Sequence, residues 1–382
     1  MKRLWGIILC VALVVGVFPM AARAAGPEVS AKSALLMDVA TGTVLYESNA
    51  NAPLAPASVT KVMTMLLIME AIDTGRIGWD DTVTASETAA AKGGSQIYLK
   101  VGETMSVTDM VKSIAVSSAN DCACAMAEHI AGSEEAFVNL MNERAAALGM
   151  KNTTFVNCTG LDDDPAAKNH LTSAYDIALM SRQLLKYHPD ITKFTTIWMD
   201  TVRGGTFGLS NTNKMVRFYP GATGLKTGFT SAAGYCLSAS AKRDGMELVA
   251  VVMGSETSKD RFAACKTLLD YGFANFSTVQ PELPQNMAVP VRLGKQETVI
   301  AVPAVTEPLL VDKSQKNAVT TTYTLDESVD APVSQGQKLG MMTVKVGDQV
   351  IAQVPLVAEQ TVPRLTWGDI ALQMLKKICM AK

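Results

Sequence analysis

The sequence predicts an α/β (α+β) chain in which an antiparallel sheet is covered by helices, followed by a small all-β sandwich domain and a C-terminal amphipathic helix. Three observations carry this. Strand-like residues open the chain and return only after a long helical block, the order of a sheet whose first and last strands come from opposite ends of one domain. Past residue 278 the composition shifts to clustered prolines and short β-rich runs between turns. The final segment places apolar side chains at steps of three and four. With 382 residues, 48% of them hydrophobic and 18% charged, the chain has enough apolar material for two cores.

Residues 1–24 combine Lys2 and Arg3 with an apolar run from Leu4 to Phe18 and a small-x-small pattern at Ala22-Arg23-Ala24. This reads as a secretory signal peptide, since the apolar run is shorter than the roughly 20 residues of a membrane span. The mature protein is then expected outside the cytoplasm, beginning near Ala25. Residues 25–278 read as one domain. In it, residues 33–46 form two strands around a turn at Thr41-Gly42. Residues 62–71 are nearly all apolar, as in a buried helix, and Met63, Met65 and Met69 read as core packing. Ser106-x-x-Asp109, ahead of Met110, Val111, Ile114 and Ala115, has the form of a capped amphipathic helix. Residues 134–148, stopped by Gly149, and a segment opening at Ser173-x-x-Asp176 repeat that form. Glu134-Glu135 reads as a first-turn charge pair and His129 as a helix-surface residue. After Lys226 the pattern turns to strands, 235–241 and 246–253, joined through Lys242-Arg243-Asp244-Gly245, where Asp-Gly signals a hairpin. Helical spacing returns over 261–273.

Residues 279–361 hold Pro281, Pro284, Pro290, Pro303 and Pro308 among β-rich runs such as 320–325 and 341–346, the pattern of a small all-β domain. In residues 362–382, Trp367, Ile370, Ala371, Met374, Leu375 and Ile378 make one apolar face. Such a helix either docks on the β domain or lies on a membrane surface. Trp367 at one edge, with Lys376 and Lys377 flanking the other, favours the membrane surface.

A formal net charge of −2 with evenly spread Lys and Arg provides no basic field to track phosphates, so a nucleic-acid partner is not expected. Of the seven cysteines, Cys10 leaves with the signal and Cys379 lies near the C-terminus. The remaining Cys122, Cys124, Cys158, Cys236 and Cys265 cannot all pair, and they read as buried thiols with one disulfide possible. Cys122-x-Cys124 lacks a second ligand pair, and His129, His170 and His188 are scattered, so neither a metal nor a cofactor is expected.

Ser58-Val59-Thr60-Lys61 is the only place where a serine is followed three residues later by lysine. On a helix that spacing sets both side chains on one face. A serine hydroxyl needs an adjacent base, and no G-x-S-x-G elbow or Ser-His-Asp set is present, so the base falls to Lys61 if burial keeps it neutral. Ser118-Ala119-Asn120 follows between two helical patterns, and Lys226-Thr227-Gly228 follows at the strand hairpin. The three motifs in this order form the signature shared by penicillin-binding proteins and class A β-lactamases.

On these motifs, and over nearly its whole length, the chain resembles the low-molecular-mass penicillin-binding proteins, the serine-type D-alanyl-D-alanine carboxypeptidases. The resemblance implies a serine β-lactamase/transpeptidase-like catalytic domain that removes the terminal D-alanine from peptidoglycan stem peptides and is acylated by β-lactams. It implies Ser58 as nucleophile, Lys61 as base, and Ser118 and Asn120 as proton relay and holder of the substrate amide. Lys226, Thr227 and Gly228 would face the terminal carboxylate with Arg261, and the N–H groups of Ser58 and Phe229 would form the oxyanion hole. Ala119 stands where the β-lactamase pattern has Asp, and no Glu-x-x-Leu-Asn run occurs between Asn120 and Lys226, so fast β-lactam hydrolysis is not expected. The alternatives are a β-lactamase or esterase on the same scaffold, and a β-lactam sensor, which would need a transmembrane segment or a cytoplasmic partner domain.

Overall fold

The computed structural model describes residues 26–281, 283–284, 287–304 and 307–380, and the candidate signal peptide lies outside them. The chain divides into two compact units, Ala24–Asn275 and Phe276–Lys382. In the first, a five-stranded antiparallel sheet uses β1 (Ser33–Asp38), β2 (Val44–Ser48), β3 (Ala222–Thr230), β4 (Gly234–Arg243) and β5 (Met246–Ser255) in the order β2-β1-β5-β4-β3. The N-terminal strand β1 pairs with β5 over six residues, Leu36 opposite Ala250, so the two ends of the unit meet in mid-sheet. The β4–β5 turn places Asp244 and Gly245 at φ of 50° and 82°, the left-handed pair that a two-residue hairpin demands.

Side chains alternate between the sheet's faces with period two. Leu35, Met37, Val249 and Val251 join the core of the helical block, which includes α1 (Lys61–Asp73), α2 (Val107–Ser117), α3 (Asn120–Ala131), α4 (Glu134–Ala147) and α5 (Ala174–Tyr187). The Ser181 hydroxyl on α5 meets that of Ser238 on β4 at 2.8 Å. Leu36 and Leu248 point the other way, onto α6 (Ser258–Asn275), where a Cβ on Gly272 would stand 2.4 Å from Leu248. The caps form where the spacing puts them: Ser106, Ser133 and Ser173 accept from the N–H groups of Asp109, Ala136 and Asp176. Met63, Met65 and Met69 are buried, and His129 is exposed on α3.

One expectation changes. Strand character begins at Ala222, so Lys226-Thr227-Gly228 lies inside an edge strand instead of ahead of the strands. Residues 219–230 contain three glycines and no apolar alternation, and they become a strand through pairing, with Lys226 opposite Ser238. Glu134 and Glu135 lie in the first turn of α4, as expected, and Glu134 also has partners distant in the sequence. Its carboxylate accepts from Lys92 Nζ at 2.5 Å and from the Cys158 N–H at 3.2 Å. The thiols of Cys122, Cys124, Cys158, Cys236 and Cys265 are buried and free.

The second unit is β-rich. A six-stranded sheet closes over a core that includes Val289, Val299, Leu339, Val344, Leu356 and Val362, beside a two-stranded ribbon of Phe276–Val279 with Leu309–Asp312. It ends in α7 (Trp367–Met380), whose first turn is closed by Thr366 and Asp369, each side chain accepting from the other's N–H. Trp367 is 88% exposed and Ile378 72%, with Met374 and Leu375 also open to solvent. Among the described residues, no helix is long and apolar enough to cross a membrane.

Candidate active site

Ser58 sits in a short 3-10 turn, Ala57–Thr60, that feeds directly into α1. The turn is held in a conformation its own sequence would not choose. Ala57 has φ of 49°, a left-handed setting that costs a residue with a Cβ on the order of 1 kcal/mol. A buried chain of hydrogen bonds holds it there. The Val156 N–H donates to His170 Nδ1 at 3.1 Å, so the ring proton is on Nε2, which donates to Thr60 Oγ1 at 2.8 Å. The Thr60 hydroxyl in turn donates to the Ala57 carbonyl at 2.8 Å. Burial, helped by the charge of Lys61, lowers His170 to about 4, so the relay stays neutral. Gly160 closes over the same carbonyl at a spacing that excludes any Cβ, which would lie 1.9 Å from Ala57 O.

Lys61, fully buried at the start of α1, donates from Nζ to Ser58 Oγ at 2.9 Å and to the Thr159 carbonyl at 2.8 Å. Desolvation lowers it from 10.5 to about 7, against the opposing pull of Asp121. A substantial fraction is therefore free amine at neutral pH, able to take the Ser58 proton. Asp121 makes no ion pair with it. Its carboxylate accepts from the backbone N–H groups of Ile97, Leu99 and Cys122.

Ser118 ends α2 in the left-handed region at φ of 64° and is almost fully buried. Asn120 opens α3. Its Nδ2 donates to the Gly93 carbonyl and its N–H to the Ser95 carbonyl, each at 2.7 Å, while Oδ1 is buried without a partner among the described residues. From the sheet side, β3 runs hard against the Ser58 turn: a Cβ on Gly228 would stand 2.6 Å from Pro56 O and 3.1 Å from Ser58 N. The strand thus brings Phe229 beside the nucleophile, its ring stacked on Tyr235 at 4.3 Å. Lys226 is buried, its Nζ donating to the Thr227 carbonyl at 3.0 Å, and burial together with repulsion from Lys61 and Arg261 holds it well below its usual range. Thr227 Oγ1 donates to Thr212 Oγ1 at 2.7 Å.

Arg261, 7% exposed, reaches from α6 past the end of β4, donating from Nη1 to the Gly228 carbonyl at 2.8 Å. Its guanidinium carbon lies 5.2 Å from the centre of the Tyr235 ring and 4.9 Å from that of Phe262, and Nε is buried without a hydrogen-bond partner among the described residues. The cleft therefore gathers the buried side chains of Lys61, Lys226 and Arg261, none with an ion pair to a carboxylate among the described residues. Arginine keeps its charge at neutral pH, and with the N–H donors of the two amines beside it the cleft can receive an anion.

The motif residues Ser58, Lys61, Ser118, Asn120 and Lys226-Thr227-Gly228 thus converge from α1, the α2–α3 junction and β3, with Arg261 behind the strand. Sequence reasoning missed the supports, Thr60, Asn157, Thr159, Gly160 and His170. Asn157 offered a signal, because its Oδ1 accepts from the N–H groups of Thr159 (3.1 Å) and Gly160 (2.7 Å), a turn that an Asn three residues before a Gly can announce.

Two family models match the chain. That of D-alanyl-D-alanine carboxypeptidase covers residues 20–257, and that of the penicillin-binding protein 5 C-terminal domain covers residues 282–364. The D-alanyl-D-alanine carboxypeptidase DacF of Bacillus subtilis is 44% identical over 373 residues, 94% of either chain. Penicillin binding protein 5 from Haemophilus influenzae superposes with a TM-score of 0.76 at 31% identity, over 90% of this chain and 100% of that one. Penicillin-binding protein D2 from Listeria monocytogenes, in its cefotaxime-bound form, does so with a TM-score of 0.60 at 33% identity, over 65% of this chain and 99% of that one. A family model spanning more than half of the chain, and a relative 44% identical almost end to end, make this protein a member of the D-alanyl-D-alanine carboxypeptidase family.

Proposed function

We propose that the protein is a serine-type D-alanyl-D-alanine carboxypeptidase acting on peptidoglycan stem peptides. The observation that carries this reading is the contact of 2.9 Å between a buried, carboxylate-free Lys61 and the hydroxyl of Ser58. Lys61, as free amine, takes the Ser58 proton while Oγ attacks the carbonyl carbon of the penultimate D-alanine. The oxyanion that forms is held by the N–H groups of Ser58 and Phe229. The C–N bond then breaks, the proton passes through Ser118 to the leaving amine, and D-alanine departs. Water cleaves the resulting ester and restores Ser58. Asn120 Oδ1, buried without a partner, accepts from the amide N–H of the penultimate residue. The terminal carboxylate is received by Lys226, Thr227 and Arg261; the buried Arg261 guanidinium, with no carboxylate partner among the described residues, supports that role, while Gly228 lets β3 approach the nucleophile.

A β-lactam presents a carboxylate and a strained amide in the same relative positions, so it acylates Ser58. The D2 relative was solved with cefotaxime bound. In this reading residues 1–24 direct export, 25–278 carry the chemistry, 279–361 form the β domain, and 362–382 rest on the outer surface of the cytoplasmic membrane. The exposed apolar face of α7 supports the last assignment. Mass spectrometry tests the chemistry. Wild-type protein should gain one adduct with benzylpenicillin and, untreated, should release D-alanine from an acyl-D-Ala-D-Ala peptide, and Ser58→Ala should do neither. A labelled Ser58→Ala protein would defeat the assignment.

A further inference from the structure

The peptide unit that joins Ala57 to Ser58 is trans, so its carbonyl and its N–H point in opposite directions within one rigid plane. At one end, the Ala57 carbonyl accepts from Thr60 Oγ1 at 2.8 Å, and Gly160 packs against the same oxygen. At the other, the Ser58 N–H lies in the first turn of the 3-10 helix, where an amide lacks an intrahelical partner. Ser58 N also lies against β3, since a Cβ on Gly228 would stand 3.1 Å from it. Whatever grips the Ala57 carbonyl therefore aims the Ser58 N–H.

The grip is directional. The Val156 N–H donates to His170 Nδ1, which leaves Nε2 as the donor to Thr60 Oγ1, and the one proton of the Thr60 hydroxyl then goes to the Ala57 carbonyl. Thr60 is fully buried and His170 is 3% exposed, so bulk water does not compete for these bonds. A chain of hydrogen bonds polarises its members, which makes the Ser58 N–H a stronger donor as well as an oriented one. Ala57, at φ of 49°, would relax if the chain were cut. A swing of the plane by about 30° moves the donor axis roughly 1.5 Å at a hydrogen-bond distance of about 2.9 Å, and misplacement by about 1 Å costs a reaction up to about a hundredfold.

On the carboxypeptidase reading, we propose that Thr60 and His170 are positioning residues of the oxyanion hole, fixing the Ser58 N–H through the carbonyl of Ala57. Lys61 is held separately, by Ser58 Oγ and the Thr159 carbonyl, so the hole and the base can be tested apart.

Acylation by benzylpenicillin, followed by stopped flow over a range of concentrations, separates the maximal acylation rate from the dissociation constant of the first complex. Thr60→Val removes the hydroxyl at nearly constant size. It should lower the maximal rate about ten- to a hundredfold and leave the dissociation constant within about twofold. Thr60→Ser keeps the hydroxyl and should stay within about threefold of wild type. His170→Phe keeps a ring and loses the Nε2 donor, so it should slow the same step. Added to Thr60→Val it should cost no more than about a further twofold, because both act through one bond. These single-turnover rates report folded molecules alone, and His170→Phe supplies the same test should Thr60→Val fold poorly. The pH dependence distinguishes hole from base: the limb near 7 that Lys61 sets should stay in place in Thr60→Val.

A Thr60→Val protein that acylates at the wild-type rate, or one whose whole loss lies in the dissociation constant, would overturn the relay while leaving the carboxypeptidase standing. A Thr60→Ser protein as slow as Thr60→Val, or a displaced pH limb, would do the same. Wild-type protein that gains no adduct would remove the carboxypeptidase reading itself.

Discussion

Lys61→Met should kill acylation and stabilise the fold, two effects that pull in opposite directions only if Lys61 is a buried base held away from its comfortable charge state. Burial lowers this amine from 10.5 to about 7. The unfolded chain keeps it charged up to the ordinary value, so between about 7 and 10.5 the unfolded state holds more protons and the contribution of Lys61 to stability rises with pH. Below about 7 the penalty is at its full size, roughly 5 kcal/mol at about 1.4 kcal/mol per tenfold in proton affinity. Methionine removes the charge at similar volume, while the contacts to Ser58 Oγ and Thr159 O, worth about 1 kcal/mol each, are lost. The expected net gain is about 3 kcal/mol at pH 6, shrinking and then reversing as pH approaches 10. Urea unfolding of both proteins from pH 5 to 10 measures the difference, and benzylpenicillin adduct formation measures the chemistry. A variant that is less stable by a constant amount across this range would refute the desolvation account. A variant that acylates at the wild-type rate would refute the base.

Two further outcomes follow from the same cleft and from the terminal helix. Arg261→Ala removes a charge-assisted contact worth about 1.5 to 3 kcal/mol, so turnover of a peptide with a free terminal carboxylate should fall about ten- to a hundredfold relative to an analogue lacking it. Equal losses on both substrates would make Arg261 a strut between Gly228 and Cys236. The mature chain should sediment with anionic vesicles, and Ile370→Asp/Leu375→Asp should leave it in the supernatant with unchanged kinetics on small peptides. A chain that never sediments, or a double variant that instead melts at a lower temperature, would point to a helix packed on its own β domain.

The nucleophile was legible because its constraint is one of side-chain identity at a helical spacing, and Ser58-x-x-Lys61 states that constraint outright. The strand carrying Lys226 was not legible, because a glycine-rich edge strand is defined by its partner β4 and carries no alternation of its own. The distant partners of Glu134 were hidden for a related reason. A first-turn glutamate satisfies the helix dipole on paper, and nothing near it in sequence tells that Lys92 and the Cys158 N–H, 42 and 24 residues away, will claim its carboxylate. The same limit hides the parts that make the dyad reactive. Lys61 is held by the carbonyl of Thr159 and Asn120 by that of Gly93, and a carbonyl belongs to every residue. Only the exclusion of Cβ atoms at Gly160 and Gly228 leaves a trace in residue type, and glycine has too many other uses for that trace to be read alone. What sets Lys61 near 7 is therefore a property of the assembled block, with α1 buried beneath the 156–170 loop, and it exists only once residues about 100 positions apart have closed over the amine.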